Sequence, residues 1–488
     1  MKYMIYLFTG MFVMVTLLAS GQIVVSENQR FLSTKDHKPF FWLADTDWEL
    51  FHRLTREEAT ELITVRSQQG YNVLQAVALA EFNGIRQPNR YGDWPLNNED
   101  PTQLSTTPGN NPDNAYEYDY WDHVDFIIGV AAQKGIYIGL LPTWGDKVTE
   151  KWGDGPTIFN RQNAETYARN LATRYAKQWN VIWILGGDRP AVYKSHKDQS
   201  ETDDRQVWRA MATGIESVLG KDAFITYHPA GGSLRTSSFL QEEPWLDMHA
   251  FQSGHGSRDP QPWKWIREDL ALKPHRPVLD MEPCYEDHPV NPWDGKWTRA
   301  SRGYFNADDV RARIYRGVFA GACGVTYGHH HVWQFLSDRN PPVNTGDTLI
   351  PWRTALNAEA ARQMIHLKNL TLSRPYFSRI EDASMIISGG GSTYTDAVIA
   401  TRDSKGTYAF IYFPLNKTVS IDVTKVRGAV KKIWWYDPRT GKSTAGKDVQ
   451  SGAKPRSFTP PKEGKDWVLV IDNADEKFAA PGIIQMTR

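Results

Sequence analysis

At 488 residues the chain is too long for one small domain and long enough for a large core plus a smaller module. Lysine plus arginine and aspartate plus glutamate both total 56, so the formal net charge is zero, and nothing marks a nucleic acid or a membrane surface as partner. Aromatic residues reach 12 %, with 19 tryptophans, enough to line a concave site as well as fill a core.

The first residues, MKYMIYLFTGMFVMVTLLAS, carry Lys2, then an apolar stretch, then Ala19, Ser20 and Gly21. A charged start, an apolar run and a small-residue exit read as a secretory signal over 1–21, so the mature chain is expected to be exported, to the bacterial periplasm or cell surface. Only Cys284 and Cys323 are present, which gives no disulfide framework and fits two buried thiols.

Eight apolar runs follow: PFFWLAD (39–45), NVLQAVAL (72–79), IYIGLLPTW (136–144), VIWILGGD (181–188), AFITYHP (223–229), WLDMHAFQ (245–252), PVLDMEP (277–283) and GVTYGHH (324–330). Amphipathic stretches lie between most of them. The first, LTREEATELITVRSQQG, opens with a capping box at Thr55 and Glu58 and closes on Gly70. A late stretch, WRTALNAEAARQMIHLKNL, reads as one helix. Near-continuous apolar strands alternating with helices imply a parallel sheet covered on both faces, and eight units over 22–375 predict a (β/α)8 barrel. A doubly wound open sheet is the runner-up, disfavoured because no glycine-rich phosphate loop follows an early strand. The polar segment 86–118 reads as an extended loop after the second strand. Over 376–488 the pattern changes to short alternating runs such as DAVIATRD, TYAFIYFP and DWVLVIDNA, punctuated by Gly, Pro and Asp, which predicts a small antiparallel β-sandwich.

Barrel active sites are built on the C-terminal ends of the strands. Here those ends carry Asp45, Asp47 and Trp48; Gln75, Glu81 and Asn83; Trp144, Asp146 and Lys147; Asp188 and Arg189; Tyr227 and His228; His249, Gln252 and His255; Glu282, Tyr285 and Glu286; and His329, His330, His331 and Trp333. One charged strand end is ordinary, but a whole rim of them marks a site. Two carboxylates facing one bond among aromatic platforms suit glycoside hydrolysis, with an acid for the leaving oxygen and a base or nucleophile opposite. Asp188 and Glu282, ending strands four and seven, are the candidate catalytic pair. Glu286 competes with Glu282, and Asp280 shares the face of Glu282 as support. Three successive histidines on an extended chain point in different directions, so GHHHVW is not expected to hold a metal. No CxxC, HExxH, GxSxG or P-loop is present, and no cofactor is expected.

The stretches PFFWLADTDWELFHRLTREEATELITVRSQQGYNVLQA, WILGGDRP and PVLDMEPCYE resemble the apiosidase-like catalytic domain of glycoside hydrolase family 140, and the tail resembles the β-sandwich annexed to it and named for collagen binding. The resemblance implies an exported bacterial enzyme that cleaves apiose linkages in the pectin rhamnogalacturonan II. Its pattern places a carboxylate after a Gly-Gly pair, matched by Asp188, and a Glu before Pro on strand seven, matched by Glu282. On this reading Asp188, buried near Trp183 and Trp144, keeps its proton and gives it to the leaving oxygen, while Glu282 attacks or activates water. Trp48, Trp144 and Trp333 offer stacking surfaces, and Asp45, Gln75, His228, Gln252 and His329 bind hydroxyls or a substrate carboxylate. Lys147 and Arg189 pair with galacturonate, and Glu286 lies among the substrate-contacting groups. The expected partner is an oligosaccharide or polysaccharide, with no nucleic acid, no membrane after signal cleavage, and a monomeric chain.

Overall fold

The computed structural model describes residues 21–149, 153–194, 200–293, 295, 298–343, 349–450 and 455–485. The signal reading over 1–20 therefore lies outside the described residues. Eight parallel strands form the body: β1 (Trp42–Thr46), β2 (Val73–Val77), β3 (Tyr137–Leu141), β4 (Val181–Gly186), β5 (Ile225–His228), β6 (His249–Phe251), β7 (Val278–Asp280) and β8 (Gly324–Tyr327). Six are laddered in the order β5-β4-β3-β2-β1-β8, and β6 pairs with β7. A parallel bridge between Thr226 and Met248 joins β5 to β6, and the Cys323 N–H donates to Val278 O (3.0 Å), joining β7 to β8. The ring is thus closed, and no strand is left with a free edge.

The strands form because they are buried on both faces, which is what their unbroken apolar sequences require. Of the eleven α-helices among the described residues, eight are labelled: α1 (Arg56–Gln68), α2 (Tyr120–Gln133), α3 (Arg161–Tyr175), α4 (Arg205–Leu219), α5 (Ser237–Leu240), α6 (Pro262–Ala271), α7 (Ala307–Phe319) and α8 (Glu359–Leu372). The capping box of α1 is present: the Glu58 N–H donates to Thr55 Oγ1 (3.3 Å) and the Thr55 N–H to Glu58 Oε2 (3.0 Å).

The structure departs from the sequence reading in three places. The run 39–45 is split, with Pro39–Phe40 in a small N-terminal antiparallel sheet and β1 starting at Trp42. At the break the Asn72 side chain donates to Phe41 O and accepts from Leu43 N, standing in for ladder bonds. The stretch 352–370 is likewise two helices, Trp352–Ala355 and α8, parted at extended Ala358. Helices α5 and α6 are additions to the sequence reading. Among the described residues no helix is long and apolar enough to cross a membrane.

The tail is a sandwich. A seven-stranded antiparallel sheet includes Ile399–Asp403, Tyr408–Phe413, Trp467–Asn473 and Val430–Tyr436, and a three-stranded sheet joins Ile386–Ser388, Val419–Ile421 and Arg456–Phe458. Strand 408–413 shows how the pieces fit. Ala409, Ile411 and Phe413 enter the core shared with the small sheet, while Tyr408, Phe410 and Tyr412 join the core shared with the barrel. Tyr412 stacks on Tyr315 and Phe410 on Phe319, both from α7.

Candidate active site

β4 ends in Gly186, Gly187 and Asp188, and all three residues have positive φ, at 85°, 117° and 49°. A Cβ on Gly186 would lie 2.4 Å from His228 O, and one on Gly187 would lie 2.9 Å from Gly145 N, so the strand turns here only because both are glycine. That turn throws Asp188 onto the rim and lets its N–H donate to His228 Nδ1 (3.2 Å).

Glu282 lies just past β7, with its carboxylate between two imidazoles. His228 Nε2 is 3.1 Å from Oε2 and His255 Nε2 is 3.3 Å from Oε1. In both rings Nδ1 faces a backbone N–H, Asp188 on His228 and Tyr285 on His255 (3.3 Å). A neutral imidazole whose Nδ1 accepts must carry its proton on Nε2, so both rings direct N–H at Glu282. Burial pushes the Glu282 carboxyl up, but the bonds from His228 and His255 outweigh it and bring it to about 2. The Tyr285 hydroxyl accepts from Trp48 Nε1 (2.8 Å). Trp48, Trp144 and His228 pack mutually, with centroids 5.1, 5.3 and 5.7 Å apart, and form an aromatic wall beside the carboxylate.

Asp188 is 24 % exposed, and its Oδ2 is 3.0 Å from Arg189 Nη1. It therefore sits in an ion pair, a correction to the expectation of apolar burial against Trp183 and Trp144. The other arm of Arg189, Nη2, donates to Glu81 Oε1 (3.0 Å). Burial pushes the Glu81 carboxyl up to about 8 against the pull of Arg189, with Asp188 and Asp146 adding to the rise. One guanidinium thus joins two carboxyl groups, Asp188 and Glu81. On the other side of Asp188, Gly231 N approaches Oδ1 (3.4 Å), and the Gln252 side chain covers Gly231.

Five expected substrate contacts are corrected. Lys147 is fully buried and spends its ammonium on both oxygens of Asp146 (2.9 Å each) and on Glu81 O (3.0 Å). Arg189 is likewise committed to Asp188 and Glu81, so neither cation presents a donor fork to a sugar acid. Asp45 is fully buried and paired with Arg66 of α1, because alternation along β1 turns it toward the helices. Its neighbour Asp47 is held well above the usual carboxylate range by burial and by Asp45. Gln75 faces into the barrel beneath the rim and donates to Met281 O (3.2 Å), supporting the backbone just before Glu282. Glu286 points at the helix layer, where it accepts from Tyr327 Oη (2.7 Å) and from Ala360 N (3.1 and 3.2 Å) at the start of α8. It anchors that helix, which separates it from Glu282. Asp280 accepts from the Ser253 hydroxyl (2.6 Å) and N–H (3.1 Å).

Trp333 is buried against Phe82, with centroids 5.9 Å apart. His329 is buried and accepts at Nδ1 from His331 N (3.1 Å). Asp287, His329 and His331 bring their ligating atoms within 4.8 Å of one another, a grouping across two loops that sequence spacing does not reveal. His331 Nδ1 lies 3.5 Å from Asp287 Oδ2, and Arg299 bonds the other carboxylate oxygen, Oδ1. His255, Tyr285 and Glu81 were visible as strand ends, but nothing in the sequence assigned them to Glu282 or to Arg189.

An ionised Glu on β7, a second carboxylate on β4 and an aromatic wall between them, on the rim of a (β/α)8 barrel, define a glycoside hydrolase. The same architecture is found in a solved glycoside hydrolase family 5 protein from Bacteroides vulgatus ATCC 8482, at 31 % identity and TM-score 0.81, covering 96 % of each chain. A second solved "Glycoside hydrolase" is 32 % identical with TM-score 0.79, covering 93 % of this chain and 98 % of its own. The chain belongs to the apiosidase-like family: the model described as "Apiosidase-like, catalytic domain" matches residues 26–378. Residues 380–472 match "Putative collagen-binding domain of a collagenase". Among curated proteins no sequence match was found.

Proposed function

We propose that the protein is an exported apiosidase of the glycoside hydrolase family 140 type, cleaving apiose linkages in rhamnogalacturonan II side chains. The match of residues 26–378 to the apiosidase-like catalytic domain supports the sugar, and Glu282 supports the chemistry. A carboxyl brought to about 2 by two imidazole N–H groups is a poor general base, because a base works best with a pKa near the operating pH. Flanked by two buried imidazoles and the Trp48–Trp144 wall, it is suited to stabilise and trap an oxocarbenium-like centre, and Glu282 as nucleophile with retained configuration is the expected outcome. Asp188, protonated when the substrate is bound, gives its proton to the leaving oxygen and then takes one from the attacking water, with Arg189 and Glu81 beside it. Trp48 and Trp144 supply the apolar platform.

The test is incubation of rhamnogalacturonan II side-chain oligosaccharides with wild type, Glu282→Gln and Asp188→Asn, with products read by mass and by the anomeric signals in NMR. A new reducing end at apiose, first released with retained configuration and lost in both variants, is expected. Inverted product removes the nucleophile role of Glu282. The internal commitment of Lys147 and Arg189 favours a second reading, in which the same pair cleaves a neutral glycan. Release from such a glycan and none from the pectin would select it.

A further inference from the structure

The loop after β2 contains a cavity of about 720 Å³, within the range of small-molecule sites. Trp94, Leu96 and Ile85 form its apolar side, and Asn97, Asn98 and Gln103 its polar side. It is built in advance. An antiparallel bridge joins Leu96 to Leu104, the Asn97 N–H donates to Gln103 O (3.0 Å), and the Ser105 N–H to Pro95 O (3.1 Å). Trp121 of α2 donates through Nε1 to Pro95 O (2.8 Å) and ties the loop to the barrel. Asn98 and Glu99 both hold left-handed backbone, at φ 54° and 58°.

The lining selects a ligand class. Arg86 and Glu99 bond each other through two contacts (2.6 and 3.0 Å), so the walls carry no unbalanced charge and do not suit a phosphate or a sugar acid. Trp94 is 43 % exposed, a large apolar face left open to water. A half-exposed indole and amide side chains lining one open cavity match a sugar ring, which has an apolar face and a hydroxyl rim. The loop that holds the cavity starts on the rim, where Glu81 bonds Arg189 and Phe82 packs on Trp333.

We propose that this cavity is an additional glycan-binding subsite, taking a neutral sugar residue of the substrate beyond the point of cleavage. The proposal rests on the glycosidase reading above, but not on apiose as the sugar cleaved. The test compares Trp94→Ala and Trp94→Phe in the full-length protein, using a long rhamnogalacturonan II oligosaccharide and para-nitrophenyl apioside. Trp94→Ala is expected to raise KM for the long substrate about tenfold while leaving the aryl glycoside unchanged, and Trp94→Phe to recover most of the loss. An unchanged KM, or an equal loss on both substrates, overturns the subsite. If wild type cleaves neither substrate, the apiose reading fails, and the subsite is judged by calorimetric titration of Glu282→Gln with neutral pectic and hemicellulosic oligosaccharides. Binding weakened by Trp94→Ala then upholds it, and binding equal in both proteins, or none at all, overturns it.

Discussion

Glu282 and Glu286 lie four residues apart and are chemically identical, yet they face opposite layers. Glu282→Gln is expected to lower kcat by ~10²–10⁴-fold or more and also to lower thermal stability at neutral pH, because the ionised carboxylate held by its two imidazoles is lost. Glu286→Gln is expected to cost ~1–3 kcal/mol from the weakened anchor of α8 while keeping the chemistry. Melting curves beside kinetics check both, and equal loss of activity in the two variants would contradict the assignment. The pH dependence follows from Glu282 and Glu81. Glu282, depressed to about 2, contributes stability present above its unfolded value of about 4.5 and lost as pH falls through about 2, so it does not set the acid limb of activity near neutrality. Glu81, raised to about 8, contributes stability that is full below its unfolded value and lost as pH rises through about 8. Its ionisation places a second negative charge on Arg189, beside Asp188 and Asp146. The alkaline limb of kcat/KM is therefore expected near pH 8 in wild type and displaced in Glu81→Gln, which has no proton to lose there. A limb unmoved in that variant would assign it to another group.

At the level of elements, the turn after β4 is the most constrained piece of backbone in the site. Gly187→Ala meets both a positive φ of 117° and contacts below 3.0 Å with Gly145 N and the Trp144 ring. It is expected to destabilise by ~1–3 kcal/mol and to shift Asp188 enough to cut kcat, whereas Thr55→Ala, which removes a distant helix cap, costs ~1 kcal/mol with kinetics unchanged. Circular dichroism melts together with kinetics separate the two. The glycine pair was visible in the sequence as a device for a tight turn. That its turn also lets the Asp188 N–H fix the tautomer of His228 was not visible, because His228 comes from the next strand.

At the level of the molecule, the sandwich is a wall of the enzyme body. Arg311 of α7 is fully buried and bonds Asp466 of the tail (3.0 and 2.8 Å). Asp466→Ala removes two of the bonds to that guanidinium and leaves it Asp308 and Gln363, and is expected to cost ~1–3 kcal/mol, read as a lower unfolding midpoint in denaturant. A loss near zero would show that the two parts are energetically independent. The face of the large sheet that carries Tyr408, Phe410 and Tyr412 is spent on α7, so any ligand of the tail must use another surface.

The sequence by itself determined the eight strands, the parallel barrel and the antiparallel tail, because burial on two faces, burial on one face and helix capping each leave a local period or a local residue pair. It also located the rim, since strand ends can be read where apolar runs stop. Which rim groups meet was decided only by the tertiary structure. Lys147, Arg189 and Asp45 looked like substrate-binding charges but are neutralised by Asp146, Glu81 with Asp188, and Arg66. His255 and His228, from neighbouring strands, converge on Glu282 to hold it ionised. Charge pairing and proton affinity depend on distances across the barrel, and residues dozens of positions apart in the chain carry no record of those distances.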